Sequence, residues 1–234
     1  MARAVAEAGF RAVFSYAGRV DRPRAQPIPV RVGGFGGVDG LTRYLHSEAI
    51  THVVDATHPF AAQMSANAVV ACRAADVPLI ALSRAPWQAE PQDRWTVVPD
   101  IDAAVAALAG PRQRVFLAVG RMHLAAFAVQ AQHRYLLRLV DRPDTLPLPD
   151  CHALVDRGPF TGATDKALMQ EHDIDLVVSK NSGGTGAQSK IDAARELRLS
   201  VLMIDRPTIP PREEVQTPAQ VMNWLGHSGV DLGV

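Results

Sequence analysis

With 234 residues, 47% of them hydrophobic and 21% charged, the chain has the make-up of a globular protein of one large or two modest domains. Lys plus Arg and Asp plus Glu stand at 24 each, so no net field draws it to nucleic acid or to a membrane surface. No apolar run approaches the ~20 residues of a membrane span, the first 20 residues lack a signal-peptide layout, and the two cysteines, Cys72 and Cys151, have neither CxxC nor metal-finger spacing. A cytoplasmic protein with reduced thiols and no metal site is expected.

Residues 1–9 read as the end of a helix with Gly9 at its C-cap, and residues 11–16 as a strand leading into Ala17-Gly18-Arg19. A doubly wound domain ordinarily opens with a strand and a glycine-rich turn before its first helix. The N-terminal domain is therefore expected to lack its first strand, through a truncated or misassigned start. Pro23, Pro27 and Pro29 mark a loop, and Val30-Arg-Val32 is a short strand running into Gly33-Gly34-Phe35-Gly36-Gly37. Such glycines permit positive φ and close backbone approach; the residues alone fit a tight turn and a nucleotide-contacting loop equally well. Leu41, Tyr44, Leu45 and Ala49 share one face at helical spacing. Residues 52–56 form the next strand, 63–76 a helix and 78–82 a buried strand ending at Ser83-Arg84. A short strand at 95–98 follows, then an Ala-rich helix capped by Asp100 or Asp102 and ending at Gly110.

Pro111 to Gln113 is the expected domain junction, giving domains 1–110 and 111–234. Beyond it the alternation restarts, with strands at 114–119, 134–140, 153–155, 174–179 and 200–204. Helices fall at 123–130, 163–172 and 187–197, and a last one runs from Thr217-Pro218 to His227. This order predicts an α/β protein of two Rossmann-like domains with mainly parallel sheets.

Cations recur just past the strands: Arg19, Arg84, Arg121, Arg142, Arg157, Lys180 and Arg206. Strand carboxyl ends share one edge of a parallel sheet, and guanidinium groups suit carboxylates and phosphates. Asp141, Asp156 and Asp205 precede three of these arginines, which leaves site and surface pairing equally open. Arg19, Arg84, Arg121 and Lys180 have no adjacent acid and point to an anionic ligand. Lys180-Asn181-Ser182-Gly183-Gly184 joins a buried strand to a helix, where backbone N–H groups make an anion cradle; it is not a Walker A loop. Asp55-Ala-Thr57-His58-Pro59-Phe60 lies on a strand-to-helix turn. Its Asp55 and His58 suit proton donation or ligand hydrogen bonding, with His58 fixing its own loop an equal alternative. The lack of HxH, HxxxH and GxSxG patterns argues against a metal site and a serine hydrolase.

Asp55-Ala-Thr-His-Pro-Phe-Ala61, with Ser65, Asn67, Ala71-Cys72, Pro78, Arg84 and Trp87, resembles the precorrin-6A reductase family of cobalamin biosynthesis. Ser15 with Ala17-Gly18-Arg19, Val32 to Gly37, Gly120-Arg121, Arg157-Gly-Pro-Phe160, Lys180 to Gly184 with Lys190 and Ala193 to Leu197, and Arg206-Pro207 extend the resemblance in order over almost the whole chain. It implies two α/β domains with a nicotinamide dinucleotide in their cleft and reduction of one double bond of a tetrapyrrole polycarboxylate. In the family the metal-free ring goes with NADPH, and an anaerobic relative takes the cobalt-bearing ring. Relatives open with a strand and a Gly-Gly-Thr-type turn running into Glu-Ala-Arg, whereas this sequence begins at Ala2-Arg3-Ala4, after that point. The cofactor NADPH is expected on Ser15, Gly18, Arg19, Gly33, Gly34, Phe35, Gly36, Gly37, Asp55 and Thr57, with Arg19 reading the 2′-phosphate. Substrate carboxylates or cofactor phosphates are expected on Arg84, Arg121 and Lys180 to Gly184. His58 is the candidate proton donor, then Lys180, with bound water as a competitor. Three alternatives stand beside this reading: cobalt-precorrin-6A reduction with NADH, a different Rossmann-type enzyme such as a nucleotide-sugar transferase, and a non-catalytic tetrapyrrole-binding protein. Neither nucleic acid nor membrane is an expected partner, and a monomer is compatible with the sequence.

Overall fold

A computed structural model describes residues 1–18, 24–141, 145–156, 158 and 160–227. Along the chain run α1 (Ala2–Glu7), β1 (Phe14–Tyr16), β2 (Val30–Val32), α2 (Gly37–Ser47), β3 (Val53–Asp55), α3 (Ala62–Ala74) and β4 (Leu79–Leu82). Next come β5 (Arg94–Val98), α4 (Ile101–Ala107), β6 (Arg114–Ala118), a 3-10 helix (Arg121–Val129), β7 (Arg134–Leu139) and β8 (Cys151–Val155). The chain continues with α5 (Gly162–Glu171), β9 (Leu176–Lys180), α6 (Ser189–Glu196), β10 (Ser200–Ile204), β11 (Glu213–Val215) and α7 (Pro218–His227). Every strand pairing is parallel, so the architecture is α/β, as the alternation predicts. Among the described residues no helix is long and apolar enough to cross a membrane.

The chain divides into two compact units, residues 1–84 with 208–234, and residues 85–207. This differs from the expected 1–110 and 111–234. Residues 85–110 belong to the second unit because β5 pairs with β10 along its whole length. Residues from 208 onward return to the first because β11 pairs with β4, and Val221 and Leu225 of α7 cluster with Ile80. Pro111 to Gln113 marks only the turn from α4 to β6. Glu213-Glu214-Val215, with two charges in three residues, shows no strand pattern in sequence, and pairing with β4 overrides that local preference.

In the first unit β1 pairs with β2, and β3, β4 and β11 form a second sheet. Among the described residues no strand joins the two sheets. Helix α2 lays Leu41 and Leu45 against Ala68, Ala71 and Cys72 of α3, whose small side chains allow a close approach.

The second unit is a single six-stranded sheet in the order β5-β10-β9-β6-β7-β8. Apolar runs such as Val115-Phe116-Leu117 and Val201-Leu202-Met203 are buried, as strands covered on both faces require. Phe116 is fully buried against Val177, Met203 and the inner faces of α5 and α6; burial of one such side chain contributes about 1.5–3 kcal/mol. Asp100 caps α4 by accepting from the Ala103 N–H at 2.8 Å. The helix expected at 123–130 is a 3-10 helix, in which positions three apart eclipse and bring Leu124 and Phe127 together onto the core. Strands β6 and β9 adjoin, with β7 and β8 added on one side and β10 and β5 on the other. That reversal is the switch point outside which ligands bind in open α/β sheets.

Candidate functional site

In the first unit the turn after β3 is built around Asp55, which is 6% exposed. Its Oδ1 accepts from the Thr57 N–H at 3.0 Å, and its Oδ2 from the Ser65 hydroxyl at 2.7 Å and from the Arg212 guanidinium. Asp55 is expected from sequence to touch the cofactor, but its acceptors are engaged within the protein. It positions the turn by joining β3, α3 and the segment ahead of β11. Thr57 is exposed, its hydroxyl 3.1 Å from that of Ser65. Exposed His58 accepts the Phe60 N–H on Nδ1 at 3.2 Å. Its neutral form therefore carries the proton on Nε2, and taking up a second proton at Nδ1 would cost the Phe60 bond. Below the turn, burial first and the Asp55 charge second push the Cys72 thiol up to about 11, which makes it a core residue rather than a nucleophile.

The glycine loop follows β2. The Gly33 N–H donates to the Tyr16 carbonyl at 2.8 Å, which brings the ends of β1 and β2 together. Ser15 lies opposite Arg31 in the parallel pair, and its hydroxyl accepts from Arg31 Nη1 at 3.0 Å. Arg31 also donates to the carbonyls of Gly33 at 2.9 Å and Gly34 at 3.1 Å, and its guanidinium stacks 3.8 Å over the Phe35 ring. Because N–H and C=O oppose one another across a trans peptide, the Gly34 and Phe35 N–H groups point away from Arg31. Neither donates to another group among the described residues. Gly33, Gly36 and Gly37 have φ of +124°, +81° and +80°, and a Cβ added at any of them would meet nothing within 4 Å. The loop backbone is thus open to a ligand, and it fits the phosphates of a dinucleotide. At Gly40 of α2, by contrast, a Cβ would lie 1.7 Å from the Phe35 carbonyl, so the loop packs directly on the helix. Gly18 also has positive φ, and a Cβ there would rest 3.5 Å from Gly33 Cα. Arg19 lies outside the described residues, as do Arg142 and Arg157.

Arg84 lies two residues past the end of β4 and is half-buried. Burial pushes its guanidinium below the ordinary arginine value, and no side-chain hydrogen bond or ion pair reaches it among the described residues. A desolvated guanidinium without a partner is placed to take an anion.

In the second unit, Gly120-Arg121 and Lys180 to Gly184 follow β6 and β9, the two strands at the switch point. Arg121 is exposed and starts the 3-10 helix; Lys180 is 8% exposed. The loop beyond Lys180 is pinned by its own unit. Asn181 pairs with the Trp87 backbone, accepting its N–H at 2.8 Å and donating to its carbonyl at 3.0 Å. Trp87 Nε1 donates to the Gly184 carbonyl at 2.8 Å. Arg206 donates to the carbonyls of Asn181 at 3.0 Å and Ser182 at 3.2 Å. Asn181 and Arg206 therefore shape the loop; the N–H groups of Asn181, Ser182 and Gly184 are spent on the carbonyls of Ile204, Lys180 and Ala85, and the Gly183 N–H and Ser182 hydroxyl are what it can offer a ligand. Gly183, at φ +65°, cannot carry a side chain, since a Cβ would lie 2.1 Å from the Ala85 carbonyl and 2.4 Å from Arg206 Nη2. Lys190 packs 4.6 Å over the Trp87 ring and donates to the Ala187 carbonyl at 2.7 Å. Among the described residues no group of His, Cys, Asp or Glu side chains could hold a metal.

Sequence reasoning missed Arg212 and Arg31. Arg212 lies 157 residues from its partner with no motif around it. Arg31 interrupts two valines in a strand, and the signal was available in the glycines that follow it.

The family described as "Precorrin-6x reductase CbiJ/CobK" matches residues 1–226. A protein of Rhodobacter capsulatus named precorrin-6A reductase is 56% identical over 98% of this chain and 92% of its own length. A Sinorhizobium protein of the same name is 45% identical over 96% of this chain and 88% of its own. A cobalt-precorrin-6A reductase of Priestia megaterium is 30% identical over 88% and 84%. A solved structure, "CobK precorrin-6A reductase", superposes with a TM-score of 0.95 at 55% identity, covering 99% of this chain and 93% of that one. With the glycine loop, the Asp55 turn and the switch-point loops each in sequence order along the matched span, the chain belongs to the CbiJ/CobK family of precorrin-6x reductases.

Proposed function

We propose that this chain reduces precorrin-6A to its dihydro product with NADPH, in cobalamin biosynthesis. The name carried by relatives at 56% and 45% identity supports the metal-free ring as substrate, against 30% for the relative named for the cobalt-bearing one. The observation that carries the reading is Arg84, a half-buried guanidinium without a partner among the described residues, as a polycarboxylate substrate requires. In a protein of zero net charge, local cations must gather such a substrate.

When bound, the nicotinamide supplies the hydride. The first unit's residues then have two tasks. Ser15, Gly18, Arg19 and the Gly33–Gly37 loop bind the dinucleotide, the loop through outward-facing N–H groups. Asp55 holds Thr57 and His58 in register beside it. In the second unit, Arg121, Lys180, the Ser182 hydroxyl and the Gly183 N–H take substrate carboxylates. Reduction also needs a proton; His58 would donate it from Nε2 as the imidazolium, giving up the Phe60 bond while Nδ1 is protonated, with Lys180 the second candidate.

The test is anaerobic loss of NADPH absorbance with precorrin-6A, run beside cobalt-precorrin-6A and beside NADH. Turnover with precorrin-6A and NADPH is expected; binding of the corrinoid without any oxidation of dinucleotide would overturn the reading. His58→Ala is expected to lower kcat with the dinucleotide KM unchanged, and near-normal kcat at saturating substrate would remove His58 as donor.

A further inference from the structure

We propose that Arg31 reads the 2′-phosphate of the dinucleotide and so selects NADPH over NADH. The inference rests on the first unit being the dinucleotide-binding half. A guanidinium has five N–H donors. Both on Nη1 are engaged, by Ser15 Oγ and the Gly33 carbonyl, and one on Nη2 by the Gly34 carbonyl. Nε–H and the second Nη2–H remain, on adjacent nitrogens, without a partner among the described residues. Two such donors match two oxygens of a phosphomonoester. The group is also pre-positioned: the Phe35 ring lies 3.8 Å from Cζ, the Tyr44 ring 5.2 Å, and the loop carbonyls fix its plane. Little rotamer freedom is left to lose on binding.

The charge pattern points the same way. Among the described residues no carboxylate forms an ion pair with Arg31. From Val30 to Val38 the sequence holds no acid, so this strand end lacks the Asp or Glu that would accept the ribose 2′-hydroxyl of NADH, and an arginine stands there instead. Sequence reasoning gives the 2′-phosphate to Arg19, which lies outside the described residues; the contributions of Arg19 and Arg31 are separable by mutation.

The experiment is calorimetric titration of wild type, Arg31→Ala, Arg31→Gln and Arg19→Ala with adenosine 2′,5′-bisphosphate and with 5′-AMP, alongside circular dichroism. Wild type should bind the bisphosphate more tightly. Arg31→Ala should weaken that binding by roughly tenfold to a hundredfold, the scale of charge-assisted hydrogen bonds, and leave 5′-AMP within about threefold. Arg31→Gln keeps an amide donor for the loop carbonyls without the charge, and should show the same selective loss even where alanine disturbs the loop. Equal losses for both ligands in the glutamine variant would make Arg31 a loop builder only and overturn the proposal, as would unchanged bisphosphate affinity. Failure of wild type to bind either fragment would instead overturn the dinucleotide reading beneath it.

Discussion

The Asp55–Arg212 pair gives the most quantitative test of how the first unit is held together. Both side chains are nearly inaccessible, at 3% and 8% exposure. Breaking a buried ion pair from one side leaves an uncompensated charge and costs about 3–5 kcal/mol. In Arg212→Met the Asp55 carboxylate keeps the Thr57 N–H at 3.0 Å and the Ser65 hydroxyl at 2.7 Å, so the lower end, ~3 kcal/mol, is expected. If the chain unfolds in one transition, that corresponds to roughly 6–12 °C in Tm. The companion change Asp55→Asn removes the charge while its amide can still accept from Thr57 and donate to Ser65. The double variant Asp55→Asn/Arg212→Met should therefore be more stable than Arg212→Met alone by about 1–2 kcal/mol. Urea unfolding at neutral pH, followed by circular dichroism, measures all three variants. Single costs that sum to the double within about 0.5 kcal/mol would refute the coupling, and a cost below about 1 kcal/mol for Arg212→Met would mean a solvent-screened pair.

Gly183→Ala forces a Cβ to 2.1 Å from the Ala85 carbonyl at a φ of +65°, whereas Gly186→Ala meets nothing within 4 Å. The first should lose about 2–5 kcal/mol and raise the substrate KM, the second neither, and equal behaviour in melting and kinetics would contradict the loop geometry. Cys72, its thiol pushed up to about 11 by burial and then by Asp55, should resist thiol reagents in the native protein and react once urea unfolds it; labelling at the rate of a free thiol would refute that burial. The Arg114 hydrogen bonds hold the Asp175 carboxyl below its ordinary 3.8. Burial alone would raise Asp93, but the hydrogen bonds from Arg195 outweigh it and hold it low as well. Both folded pKa values lie below the unfolded one, so this stability is present above about pH 4 and is lost as pH falls through the folded values. The urea midpoint should fall on acidification below about pH 4, less steeply in Asp175→Asn; an identical slope in the variant would remove Asp175 from the account.

How much of this was legible depended on the range of the interaction. Helix α2, with Leu41 and Leu45 on one face, and the apolar strands β6, β9 and β10 carry their periodicity locally, and the α/β class follows from their order. The Asp100 cap is likewise a matter of three residues. The boundary between units was not legible, because it depends on which sheet β5 and β11 join, and pairing partners more than 100 residues away leave no trace in local composition. The same limit hid the role of Asp55. Its position on a strand-to-helix turn suggested ligand contact, and only the arrival of Arg212 turns it into a buried anchor.

The arginines divide by what their donors meet, and sequence position alone does not reveal it. Arg31 spans the carbonyls of Gly33 and Gly34, and Arg206 spans those of Asn181 and Ser182. In each unit a guanidinium is bonded to two successive carbonyls of a glycine-containing loop after a strand. The peptide geometry then turns the Gly34, Phe35 and Gly183 N–H groups away from it. A cation that follows a strand can thus serve an anion at one remove, by orienting backbone donors, and this role demands a fork that a lysine lacks. Among the described residues Arg84 makes no such bonds to a loop, which leaves its donors for a ligand. Replacing Arg206 by lysine should therefore disturb the loop despite the conserved charge, whereas Arg84→Lys should retain part of the substrate affinity. Comparison of melting and substrate KM for these two variants separates a cation that builds the site from one that binds in it, and equal retention of both properties by both variants would dissolve the distinction.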